Sequence, residues 1–251
     1  MGNPVKSFLG AVTFYTTIRI PVSWELEFHR IARWAPLIGL LLGGVLTLLD
    51  LGLNQLGMPV LTRSIILVSV WIVLTGGLHL DGVMDTADGL AVTDESKRLE
   101  VMQDSLTGAF GVMAAVVLLL LKTASLSDIE SFRWLGLMAA AGWGRFAQVM
   151  AIAFYPYLRE NGKGAFHKQD FRSPQDIFLG LVFLFVLSLI QLLMDYESWW
   201  VALLLLFSGQ AIAFFTGFWF HRQLGGHTGD TYGAVVEWTE AFFLCLLTLF
   251  F

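Results

Sequence analysis

Charge is scarce in this chain: only 14% of its 251 residues are Asp, Glu, Lys or Arg. A soluble domain of this length carries nearer one quarter, so an ordinary soluble fold is disfavoured. Basic residues are in the minority, 15 against 20 acidic ones, for a formal net charge of −5. That balance excludes the basic footprint of a nucleic-acid-binding protein. Cys245 is the single cysteine, so neither an intramolecular disulfide nor a zinc-finger spacing can form. A cleavable signal peptide is not expected either: the first residues offer one lysine, Lys6, an interrupted apolar stretch and no small-residue cleavage site.

Apolar residues make up 56% of the chain, with 21 Phe and 9 Trp. Seven stretches are long enough to cross a bilayer as helices: 36–56, 60–80, 109–127, 133–155, 176–194, 199–220 and 233–251. A short amphipathic segment, 4–20, precedes them and reads as an interfacial helix ended by Pro21. The expected fold is therefore all-α: a single integral-membrane domain over 1–251, a polytopic bundle of about seven spans with residues 1–35 as interfacial helix and lead-in.

The basic residues orient it. With the N-terminus and the loops after spans two, four and six on one side, that side holds Lys6, Arg19, Arg30, Arg33, Lys97, Arg98, Arg159, Lys163, Lys168, Arg172 and Arg222. Only Arg63, Lys122 and Arg133 fall to the other side. This bias makes that side cytoplasmic and predicts an N-in, C-out topology. Segments 81–108, 156–175 and 221–232 then all face the cytoplasm.

Those segments carry the chemistry. Asp81, Asp85 and Asp88 are spaced four and three residues apart, so a helix would place all three on one face. Like charges repel there and lose hydration near a bilayer, so a cation is expected among them. Hard oxygen ligands point to Mg²⁺ or Ca²⁺. After span six, Gly225-Gly226-His227-Thr228-Gly229-Asp230-Thr231 leads into a helix bearing Glu237 and Glu240. Seven residues are about two helical turns, so Asp230 and Glu237 share a face. The glycines allow backbone N–H groups to approach an anion, and a helix start favours phosphate. Metal ligands beside a phosphate cradle suggest phosphoryl transfer.

Other residues admit two readings. Arg145, inside span four, either contacts a substrate phosphate or balances Glu237 or Glu240; His79 is either a general base or a satisfied interfacial histidine, and His227 is read the same two ways. Lys122 is expected to snorkel to the membrane surface. The loop 156–175 is basic and punctuated by glycine, as a lid would be.

At these residues the chain resembles the cobalamin synthase family, the adenosylcobinamide-GDP ribazoletransferases. The resemblance is carried by Gly76-Gly77-Leu78-His79-Leu80-Asp81-Gly82 with Asp85, Thr86, Asp88 and Gly89, by Met102-Gln103-Asp104-Ser105 with Gly108 and Gly111, and by the 225–231 segment with Gly233, Glu237 and Glu240. It implies a Mg²⁺-dependent transfer that joins α-ribazole, or its 5′-phosphate, to adenosylcobinamide-GDP and releases GMP. It further implies that Asp81, Asp85 and Asp88 bind Mg²⁺, expected as two ions, with Asp230 and Glu237 completing the site and Asp104 and Glu240 as supporting acids. An aspartate such as Asp81 or Asp85, or else His79, would take the hydroxyl proton. Gly226, Thr228, Gly229, Arg145, Lys163 and Arg222 would hold the diphosphate or GMP. At position 227 histidine stands where glutamine is expected in some relatives.

Corrinoid nucleotide, α-ribazole and lipid are the expected partners. A homodimer is also considered, because so small a bundle exposes much apolar surface. A lipid-type CDP-alcohol phosphotransferase would need Ala-Arg after the first Asp-Gly, whereas Gly82 is followed by Val83-Met84-Asp85. An ion-coupled transporter would place its acids near the bilayer midplane and show internal repeats.

Overall fold

The computed structural model describes residues 3–159, 162 and 164–251, and among them only helices, turns and one isolated backbone bridge occur. Eleven α-helices follow in order: α1 (Pro4–Tyr15), α2 (Ala35–Gln55), α3 (Val60–Thr75), α4 (Leu78–Ala91), the short α5 (Arg98–Val101), α6 (Ala109–Asp128), α7 (Arg133–Phe154), α8 (Ala165–Asp170), α9 (Gln175–Met194), α10 (Trp199–Leu224) and α11 (Gly229–Leu247). The first is shorter than its sequence suggests: Thr16 turns to an extended backbone, and the Thr17 N–H donates to the Leu74 carbonyl instead of continuing the helix.

Among the described residues five helices are long and apolar enough to cross a membrane: α2 with its 3₁₀ lead-in, α6, α7, α9 and α10. The expected second span, 60–80, is in fact two helices, α3 and α4, meeting at 91°; together they would make a sixth. The bend has a local cause. Gly76 and Gly77 both take positive φ, 62° and 71°, a conformation that costs glycine little and other residues more. The last expected span is α11, which is not among the five because it carries Asp230, Glu237 and Glu240. It is an interior helix, buried from Thr231 to Glu237 and again from Thr239 to Ala241.

Helix α7 is the hub. It is buried along 78% of its apolar window, against 28–44% for the other four, and packs on α2, α9, α10 and α11. Ala139-Ala140-Ala141-Gly142 and Gly144 let those neighbours approach closely, as small residues do between membrane helices. Helix α11 lies between α7 and α4. At one end, Asp50 on α2 receives a bidentate pair from Arg133 (2.9 and 3.1 Å) and a contact from Arg63 at 3.5 Å. Two of the basic residues assigned by charge bias to the far side are thus joined in one buried cluster.

Candidate functional site

The bend at Gly76-Gly77 sets the direction of α4, and Gly82 sets its distance from α11. A Cβ on Gly82 would lie 2.4 Å from the Asp230 carbonyl oxygen, so the two backbones touch there. This contact brings an acid from the far end of the sequence to the aspartate helix. Asp81 is exposed and Asp85 half-buried. Asp85 feels the charges of Asp81, Asp230 and Asp88, with Arg159 as the opposing cation. Arg159 Nη1 lies 2.8 Å from Asp230 Oδ2, and its Nη2 donates to the Leu99 carbonyl at 3.2 Å. Burial pushes the Asp230 carboxyl up, while Arg159 and the Thr228 hydroxyl pull against it.

The seven expected acids do not converge on one point. Asp88 receives the N–H groups of Gly108 (2.7 Å) and Gly111 (2.8 Å), so it caps the start of α6 from a neighbouring helix. Asp104 is exposed and accepts the Leu106 N–H at 3.0 Å in the turn before α6.

Glu237 and Glu240 lie deeper. Lys122 binds Glu237 at 2.5 Å and also Glu240, which in turn pairs with Arg145. All four side chains are buried, and the Lys122 ammonium sits 4.5 Å from the centre of the Trp71 ring. Two glutamates against two cations make an internally balanced network. This corrects the snorkelling expectation for Lys122; Glu237 and Glu240, expected as metal ligands, are here paired with cations. The alternative, that Arg145 balances a glutamate, is what the fold builds. Among the described residues no group of three or more His, Cys, Asp or Glu stands ready-made to hold a metal ion.

His79 lies on the opposite face of α4 from the aspartates, because a two-residue offset is about 200° of helix. It is buried beside Tyr15, ring centres 6.4 Å apart, and both its nitrogens lack hydrogen-bond partners among the described residues. It is therefore not placed to take a proton from a group bound at Asp81. The glycine-rich turn is also not an open cradle. His227 N–H donates to the Pro156 carbonyl and Leu158 N–H to the His227 carbonyl, at 2.9 and 2.8 Å. Gly226 is packed against Pro156 and Leu158, and Thr228 forms a capping box with Thr231 at the start of α11. Gly229 faces Gly164 of the 156–175 loop. Arg222 is exposed, and Lys163 lies outside the described residues.

His227 earns its burial by hydrogen bonding. Its Nε2 is 3.1 Å from the Gly217 carbonyl, which can only accept, so Nε2 carries the proton and Nδ1 accepts from Thr231. Burial lowers its pKa to about 4, keeping it neutral. Arg159 is the residue that sequence reading missed; its place in a basic lid-like loop was visible, its partner was not.

These features define a multi-pass helical membrane protein with a carboxylate cluster where α4 meets the start of α11. The family of Cobalamin-5-phosphate synthase matches residues 7–248, and the chain belongs to that family. Similar relatives, each named adenosylcobinamide-GDP ribazoletransferase, include those of Trichormus variabilis (56% identical, covering 97% of this chain and 96% of the relative) and Synechocystis sp. (54%, covering 95% and 93%). That of Thermosynechococcus vestitus is 47% identical, with 97% and 96% covered. No solved structure matches.

Proposed function

We propose that this chain joins α-ribazole, or its 5′-phosphate, to adenosylcobinamide-GDP and releases GMP. The observation that carries the reading is the meeting of Asp81 and Asp85 with Asp230 and its partner Arg159, in a chain of this family. In the reaction a ribose hydroxyl oxygen forms a bond to the cobinamide-side phosphorus, the bond to the GMP oxygen breaks, and the hydroxyl proton leaves. Asp85, half-buried among other carboxylates, is suited to receive that proton. Arg159, a planar guanidinium at the site's edge, is suited to orient a phosphate.

The donor chemistry also suits Mg²⁺: Asp81, Asp85 and Asp230 supply hard oxygens with a single arginine as counter-charge, and their carboxylates would have to draw together to share an ion. Those three would hold the metal, which would neutralise phosphate oxygens. Asp88 would adjoin it while capping α6. The site would face the cytoplasm from a bacterial inner membrane, in one domain over 1–251 with its N-terminus inside.

GMP release from adenosylcobinamide-GDP plus α-ribazole 5′-phosphate, by purified protein with Mg²⁺ or with EDTA, tests this. Mg²⁺-dependent turnover that falls at least about 100-fold in folded Asp81→Asn is the expected result. Absence of turnover in well-folded wild type would refute the reaction, and turnover undiminished by EDTA would refute the metal.

A further inference from the structure

A cavity lies apart from the aspartates. It is about 250 Å³ and is lined by Pro4, Ser7, Glu27, His29, Arg30, Arg33 and Arg172. We propose that this arginine pocket binds a phosphate-ester anion.

Three guanidinium groups converge there against one lining carboxylate. The nearby acids are already engaged: Asp176 pairs with Arg30 and accepts the Arg172 N–H at 2.9 Å, Asp170 lies 3.0 Å from His29, and Glu27 accepts the Asn3 N–H at 2.9 Å. No carboxylate partner is left for the Arg33 or Arg172 side chain among the described residues. Among the described residues Arg33 Nε and Arg30 Nε are buried without a hydrogen-bond acceptor, a costly condition that an anionic oxygen would relieve.

The pocket is also held in shape. Arg33 is fixed over the Trp34 ring, 4.9 Å from its centre, and the Trp34 indole N–H donates to Ser7 at 3.3 Å. Ser7 donates in turn to the His29 carbonyl at 2.9 Å. Arg30 occupies the left-handed region at φ 55°, a strained backbone for a non-glycine residue that Asp176 holds in place. Paired guanidiniums of this kind match the geometry of phosphate oxygens, whether from a lipid headgroup or a soluble ester.

Binding is measured on the purified full chain in maltoside detergent, which carries no phosphate. Phosphatidylglycerol is added in one arm and inorganic pyrophosphate in the other, with thermal shift and titration as readouts. Wild type is expected to bind at least one of them and to melt at a higher temperature. Arg172→Gln, at an exposed position without a side-chain partner, should weaken that affinity about tenfold, and Arg33→Gln with Arg172→Gln should abolish it. Lys97→Gln, an exposed cation elsewhere, should bind as wild type does. A response to the lipid alone identifies a headgroup site, and a response to pyrophosphate alone a site for a soluble phosphate anion. If neither ligand shifts wild type, or the arginine variants respond as it does, the proposal is wrong. No turnover is read, so the outcome is independent of the transferase assay.

Discussion

Asp230 and Glu237 stand two turns apart on the same helix, yet the fold gives them opposite surroundings. Asp230 meets Asp81 and Asp85 beside Arg159 at the start of α11. Glu237 and its neighbour Glu240 are sealed inside with Lys122 and Arg145. The first group is short of positive charge and suited to a cation and a phosphate. The second is already neutral and binds three helices, α6, α7 and α11, together. A carboxylate in an apolar helix is thus not by itself a catalytic signal; what decides is whether its charge is balanced from within.

The largest expected effect breaks the interior half of this comparison. Glu240→Gln removes the carboxylate that pairs with Arg145, leaves Lys122 with Glu237 alone, and should cost about 3–5 kcal/mol of stability. Thermal unfolding in detergent measures it; a melting temperature like that of wild type would mean the network is not structural.

Acid should act next. His227 is held neutral with a pKa of about 4, below its unfolded value of about 6.5. The unfolded chain therefore binds a proton first, and stability falls as pH drops from about 6.5 to about 4, then levels. The contribution is on the order of 3 kcal/mol at the acid end. Gln can donate to Gly217 and accept from Thr231, so His227→Gln should show a shallower loss over that window; an equally steep loss would contradict the assignment.

A smaller effect sharpens the acidic half. Asp88→Asn keeps one acceptor oxygen for the two N–H groups at the start of α6 and should cost about 1 kcal/mol. Hydrogen exchange at Gly108 and Gly111 would rise in that variant, and unchanged protection would remove the capping role.

Much of this was legible in the sequence. The four-and-three spacing of Asp81, Asp85 and Asp88 does put them on one helical face, and the glycine-rich turn does open a helix with Asp230 in its first turn. The break in the second expected span was harder to see, because the apolar run continues through Gly76-Gly77 and hydropathy is blind to two left-handed residues. Lys122 looked like a snorkelling end residue because its partners are 115 and 118 positions away. Seven- and three-residue offsets, both helical, also made Asp230, Glu237 and Glu240 on α11 look alike, and only the cations arriving from α6 and α7 separate them. The separation of His79 from the aspartates follows from helix geometry alone, once α4 is known to be a helix through residue 79.

The division of α11 is tested most directly by GMP release and melting temperature measured side by side for Asp230→Asn and Glu237→Gln. Asp230→Asn should lose turnover about 100-fold with a melting temperature close to that of wild type. Glu237→Gln should melt well below wild type yet retain most of its turnover at a temperature where it is folded. The reverse pattern, an active Asp230→Asn beside a stable but inactive Glu237→Gln, would contradict the account.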